Sequence, residues 1–293
     1  MSLPVTVGVD GSPESIAAAE WAAHESELRG APLLIVHADE WAGAANSRGV
    51  GPGARYRRAD ELLAEAAEAV RRRHPALEID TRQLAGPPVA ALTGAAAEEA
   101  GLLVLGSRGL GGLRGFLLGS VGMAAIGAAA CPVVLVRAPG RSTVSARSAE
   151  AGSSRDVVVG VDLDQFFDPL LDFGFQEAVS RGARLLALYG WSIPPMVRDA
   201  SALVAAEREM GPDIARRLAA DLRPWRLKFP SVDLVERSCV GGPAQRLLQA
   251  AENAELVVVG RHVRSGAWGA HIGPVTHALI HHCAVPVAVI AHE

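Results

Sequence analysis

Leu102-Leu103-Val104-Leu105-Gly106-Ser107-Arg108-Gly109 decides the fold. An apolar run suited to a strand buried on both faces passes without a break into a glycine-rich turn. Nine residues then separate Gly109 from Gly119-Ser120-Val121, after which small apolar residues suit a helix. Strand, glycine turn and helix in that order present backbone amides to an anion. The glycines let the main chain approach a ligand with no Cβ in the way. The amides of Ser120 and Val121 are then first-turn donors at the positive end of a helix, and the Ser120 hydroxyl can cap that helix or meet a phosphate.

The chain opens Val5-Thr6-Val7-Gly8-Val9-Asp10-Gly11-Ser12, and Cys131-Pro132-Val133-Val134-Leu135-Val136-Arg137 reads as a last strand. With those flanks, the spacing G-x2-G-x9-G-[ST] resembles the universal stress proteins over nearly all of residues 1–139. The resemblance implies a small parallel α/β fold that holds ATP in the motif-bearing members, with no established catalytic residue set. It also resembles the tandem members, in which two halves pack together and chains dimerise through their last strands, so a homodimer is expected.

The chain repeats itself. Val5 to Asp10 (VTVGVD) lines up with Val157 to Asp162 (VVVGVD) at a shift of 152 residues, and Leu103 to Gly106 with Val257 to Gly260 at a shift of 154. A period this long describes two complete domains rather than a solenoid. The expected division is 1–139, a linker at 140–154 rich in Gly, Ser, Thr and Arg, and 155–293. Each half alternates strand and helix, which argues for α/β architecture: a five-stranded parallel, Rossmann-like sheet with helices on both faces. In the first half the strands are expected near Thr6 to Val9, Leu33 to His37, Ile79 to Leu84, Leu102 to Leu105 and Val133 to Val136, with a helix over about Ser120 to Ala130.

Several functions are excluded. A net charge of −4 and a pI near 6.2 make no electrostatic case for nucleic acid or an anionic membrane. The uncharged run Gly115 to Val136 has the length of a membrane span, but four glycines, Ser120 and Pro132 argue for a buried helix followed by a strand. Lys228 is the only lysine and no Gly-x4-Gly-Lys string surrounds it, so Walker-type chemistry is absent. Counting six from Gly109 reaches Arg114, which breaks G-x-G-x-x-G. Gly119-Ser120-Val121-Gly122 misses the serine-hydrolase elbow by one position. Cys131, Cys239 and Cys283 are far apart with no C-x-x-C, and no signal peptide precedes Val5, which fits free thiols in a reducing cytoplasm. Adjacent helical residues point about 100° apart, so His281-His282-Cys283 does not converge on one ion and no metal set is read there.

In a doubly wound sheet the ligand crevice lies beyond the carboxyl ends of the strands, where strand order switches. Asp10, Ala38 and Gly106 all fall at such ends. Asp10 can accept from a ribose hydroxyl or an adenine amino group, a role the resemblance also assigns it; the competing reading is a turn aspartate capping the next helix. Arg108 reaches a phosphate or covers the cleft, and Val36, His37 and Ala38 border the base, with His37 packing or bonding to backbone. Arg48, Arg55, Arg57 and Arg58 lie in or beside a Gly-rich connection, as a lid or as a solvated helix face. The expected ATP contacts are therefore Asp10, Ala38, Gly106, Arg108, Gly109, Gly119, Ser120 and Val121.

In the second copy Asp162, Gly260 and Gly273 survive, but Val263 replaces the second glycine and Pro274 the serine. Pro274 removes an amide donor and a hydroxyl, and Val263 brings a branched side chain. One competent site and one weakened or empty site are expected. Three functions fit: a nucleotide-dependent stress-response protein with no catalysis; a slow ATPase using Mg2+, for which Asp10 and Asp39 are the nearby carboxylates; and a sensor of another adenine nucleotide, such as a cyclic one.

Overall fold

A computed structural model describes residues 3–39, 52–107, 120–138, 156–165, 167–192, 200–263 and 272–292. They fall into two compact units, divided between residues 138 and 156.

The first unit begins with β1 (Val5–Gly8), α1 (Pro13–Arg29), β2 (Leu33–Asp39), α2 (Pro52–Arg73) and β3 (Ile79–Ala85). It continues with α3 (Pro88–Glu99), β4 (Leu102–Ser107), α4 (Ser120–Ala128) and β5 (Val133–Arg137). Its strands lie in the order β3-β2-β1-β4-β5, and the β1–β2, β1–β4, β2–β3 and β4–β5 pairs are all parallel. The chain moves outward from β1 to β3, then returns to the other side of β1 with β4, so the order switches between β1 and β4. Val5, Val7, Leu33, Ile35, Leu102, Val104 and Val134 are buried along the central strands, as covering both faces of a parallel sheet requires.

α1 shows how short sequence signals become an element. The Ser12 hydroxyl accepts from the Ser15 amide, Pro13 occupies the first turn, and Glu14 sits at the positive end. Ala18, Ala22 and Ala23 let the helix lie against the sheet, and Gly30 ends it in the left-handed region at φ 58°. α4 stops at Ala128, two residues short of the expected end. The residue before Pro132 is disfavoured in helical geometry, and β5 starts at once. β2 runs two residues beyond His37, to Asp39. Arg57 and Arg58 are exposed on α2, the solvated-face reading; Arg48 and the side chain of Arg55 lie outside the described residues.

The second unit comprises β6 (Asp156–Gly160), α5 (Asp168–Arg181), β7 (Leu185–Trp191), α6 (Ala200–Lys228) and β8 (Leu234–Val240). α7 (Pro243–Ala251), β9 (Ala254–His262), α8 (Pro274–His282) and β10 (Val287–His292) complete it. The order β8-β7-β6-β9-β10 and the parallel pairings repeat those of the first unit. Repetition extends to a buried ion pair. Arg29 Nε donates to Glu25, four residues earlier on α1, at 2.5 Å; Arg181 pairs with Glu177, likewise four residues earlier, on α5; and both helices end at a left-handed glycine, Gly30 and Gly182. Both carboxylates are buried, and each is paired with the arginine four residues on. The second core adds aromatic rings, Phe175 stacking on Trp225 and Phe229 with centroids 5.8 and 5.0 Å away.

All three cysteines are free thiols, and burial pushes Cys131 above its ordinary pKa. Among the described residues no helix is long and apolar enough to cross a membrane.

Candidate functional site

Register places the first crevice. Gly8 on β1 is level with Val36 on β2 and Leu105 on β4. Two residues further along each strand lie Asp10, Ala38 and Ser107, with Gly106 one step inward. Residues separated by nearly 100 positions thus share one rim at the switch point.

Asp10 Oδ1 accepts from the Ser12 amide at 2.9 Å and from the Ser12 hydroxyl at 2.5 Å, while its own amide donates to Ser15 Oγ at 3.3 Å. One carboxylate oxygen thus does the turn work, and Asp10 remains exposed above the helix entry. Ser12 and Ser15, which sequence reasoning passed over, hold Asp10 against α1; Ser12-Pro13-Glu14 ahead of the first helix was the available signal. The Nδ1 of His37 lies 2.7 Å from the Val9 carbonyl, so that ring is committed to backbone. Gly106 allows a close approach: a Cβ there would lie 2.6 Å from the Glu14 carbonyl carbon and 2.7 Å from the Ser15 nitrogen. The end of β4 therefore sits directly on the first turn of α1. Ser107 is buried and donates to the Val136 carbonyl at 3.2 Å. Ser120 opens α4 with Val121 next to it. Arg108, Gly109, Gly119 and the side chains of Ser120 and Asp39 lie outside the described residues.

Asp162, the counterpart of Asp10, is exposed and accepts from the Asp164 amide at 3.0 Å. Arg217 on α6 donates to the Leu163 carbonyl and reaches Asp164 at 3.2 Å. Tyr189 takes the place of His37; burial first, then the negative Asp164 and Asp162, push its pKa up, against a smaller opposing effect of Arg217. Phe167 stands at the N-cap of α5 and makes no side-chain capping bond. Its ring stacks on His292 at 3.3 Å and 16°, and meets His262 edge-on at 6.3 Å. Gly260 backs onto this stack, where a Cβ would fall 2.9 Å from the His292 ring. Arg261 replaces Ser107 and is buried, which lowers its pKa. Gly273 caps α8 through backbone alone, Pro274 fills the first turn, and Thr276 donates to the Gly260 carbonyl at 2.8 Å. Where the first unit carries a serine cap, the second carries stacked rings. No sequence period announces that stack, because Phe167 and His292 lie on different elements far apart in the chain.

Two stretches of the chain, residues 1–137 and 153–291, match the Universal stress protein family. The chain belongs to the universal stress protein family. "Universal stress protein Rv2005c" of Mycobacterium tuberculosis is 32% identical over 300 residues, covering 97% of this chain and 96% of that protein. "Universal stress protein Rv1996" of the same species is 32% identical over 308 residues, covering 98% and 95%. Among solved structures, a universal stress protein from Archaeoglobus fulgidus superposes with a TM-score of 0.72 at 16% identity, covering 99% of this chain and 98% of that one. That likeness is one of fold. These matches establish the tandem family and the α/β architecture expected from the repeated strand and glycine patterns.

Proposed function

We propose that this universal stress protein binds one adenine nucleotide per chain, ATP, in the crevice of the first unit, and acts in the cytoplasm as a nucleotide-dependent stress-response protein. The observation that carries the reading is the shared rim of Asp10, Ala38 and Gly106 at the switch between β1 and β4, with α4 opening at Ser120. Asp10 would receive the ribose or the base amino group. The turn at Arg108 and Gly109, with Gly119, Ser120 and Val121 at the entry to α4, would take the phosphates. The second unit, with Asp162, Gly260 and Gly273, would bind weakly or stay empty: Pro274 supplies neither amide nor hydroxyl, and the Phe167–His292 stack packs against Gly260. Occupancy would act by changing contacts with a partner, including a second copy in a homodimer, through differential affinity of two conformations.

The test is to purify the chain without added ligand, denature it, and identify and count any released nucleotide by mass spectrometry. About one ATP per chain supports the reading. Two intact nucleotides per chain would overturn the one-site assignment. Steady phosphate release that needs Mg2+ and is lost on changing Ser120 would make the protein a slow ATPase, and a tighter cyclic nucleotide competing with ATP would make it a sensor of that ligand.

A further inference from the structure

The second unit holds an open groove of about 580 Å3 at the amino ends of its strands, the end of the sheet away from the crevice. Asp156 opens β6, Arg184 precedes β7 and Asp233 precedes β8, while Val179 near the end of α5 and Val232 supply apolar wall. Sites for small molecules span about 300–1,000 Å3.

The first unit closes the corresponding place with a polar bolt. His74, just after α2, sets its Nδ1 2.9 Å from Glu27 and its Nε2 3.6 Å from Glu20, both on α1. The Val70 carbonyl accepts from the His74 amide and the His74 carbonyl from the Leu77 amide, a pattern repeated at Trp225, Phe229 and Val232, so Phe229 is the counterpart of His74. At the 152-residue shift of the repeat, Glu27 becomes Val179. Both halves of the bolt are thus replaced by apolar side chains. Phe229 stacks on Phe175 with centroids 5.0 Å apart, and Val179 is left 48% exposed on the groove.

The charges in the groove do not balance. Arg184 donates to both oxygens of Asp156, at 2.9 and 2.7 Å, which answers that carboxylate in full. Asp233 is exposed, and its carboxylate makes no ion pair or hydrogen bond among the described residues. One negative charge is therefore in excess, and the groove also receives the negative end of α5. An anion is repelled there. A neutral apolar molecule covers the valines and leaves Asp233 to water, whereas a cation on an apolar body meets both parts.

We propose that this groove binds a small organic cation, a protonated amine on a short apolar body, with the amine on Asp233 and the body on Val179 and Val232. The site lies at the opposite end of the sheet from the crevice and stands independently of nucleotide binding. The full-length, 15N-labelled chain is titrated at neutral pH with benzylamine hydrochloride and, separately, with its uncharged analogue benzyl alcohol, each followed by amide NMR. The expected result is saturable benzylamine binding with a Kd below about 5 mM, shifts centred on Val179, Val232 and Asp233, and benzyl alcohol weaker by about five-fold.

Asp233→Asn should weaken benzylamine by about five-fold and leave benzyl alcohol unchanged. Val179→Arg, which places a cation in the groove itself, should remove benzylamine binding. Glu78, whose carbonyl accepts from Leu33 as that of Asp233 accepts from Leu185, is the first-unit counterpart, and Glu78→Gln should stay within about two-fold of wild type. All three positions are exposed, so each variant should melt as the wild type does. Affinity weaker than about 5 mM overturns the site. So do benzyl alcohol binding as well as benzylamine, shifts centred elsewhere, benzylamine binding that survives Asp233→Asn or Val179→Arg unchanged, or an equal loss in Glu78→Gln.

Discussion

The two units share strand order, parallel pairing, a buried Glu–Arg pair on the first helix and a left-handed glycine after it, yet their crevices are built from different chemistry. Where the first has Ser12, His37 and Ser107, the second has Phe167, Tyr189 and Arg261. Core and caps determine whether the sheet forms, whereas strand ends determine what it holds. A copied domain can therefore keep its strand order and pairing while the residues at its strand ends change.

The strongest test of sameness is the buried ion pair. Arg29→Met and Arg181→Met each leave a fully buried carboxylate without its helical arginine, and each should cost about 3–5 kcal/mol, read unit by unit from hydrogen exchange. Arg181 is buried and also meets Glu255 at 3.2 Å, so its loss should cost at least as much as that of Arg29, and a smaller cost in the second unit would break the comparison. The strongest test of difference is at the turn proposed to take the phosphates. Gly109→Val should weaken ATP binding about a hundredfold, or nearly 3 kcal/mol by calorimetry, while Gly273→Val in the second unit leaves it unchanged.

Next comes Gly106→Ala, which presses a methyl group onto the backbone of α1 and should destabilise the first unit by about 1–3 kcal/mol in denaturant melts. Gly260→Ala presses on the His292 ring, a side chain rather than backbone, with the Phe167 ring 4.0 Å away, and should cost less. Ser12→Ala removes a cap for which the second unit has no equivalent side chain. It should cost about 1 kcal/mol of first-unit stability and loosen Asp10, seen as faster amide exchange at Ser15. The smallest effect concerns pH. Since the folded pKa of Tyr189 is raised, the folded state holds that proton more tightly than the unfolded chain. Stability is unaffected below the unfolded value near 10 and declines as pH rises from there through the folded value. Tyr189→Phe should flatten that alkaline decline in the second unit, and an unchanged slope would remove Tyr189 from its crevice.

Much of this comparison was legible in the residues. The apolar run before Gly106, the 152-residue echo of VTVGVD and the Pro274 substitution each act locally, through burial or backbone geometry, and local rules are what a sequence displays. The turn role of Asp10 was legible as one of two readings, and the Ser12 hydrogen bonds show that one carboxylate oxygen performs it. Element ends were less legible, because β2 extends to Asp39 and α4 stops at Ala128 through pairing and proline effects beyond any hydrophobic period. The stack of Phe167 on His292 was illegible, since it arises from tertiary packing between residues with no common period.

In both units the first strand sits in the middle of its sheet, and this sets a schedule for the growing chain. Val5 pairs with Leu102 and Val157 with Leu256, each about a hundred residues later. At a synthesis rate of about 5–20 residues per second, the first strand emerges roughly 5–20 s before its second neighbour. Until then an apolar strand of the nascent unit has one edge uncovered, and the rim shared by Asp10 and Gly106 does not exist. The proposed nucleotide would therefore have no part in the early steps of folding. It would select only a unit whose fourth strand has already docked, so any stabilisation by it would fall on the finished domain and its rate of unfolding.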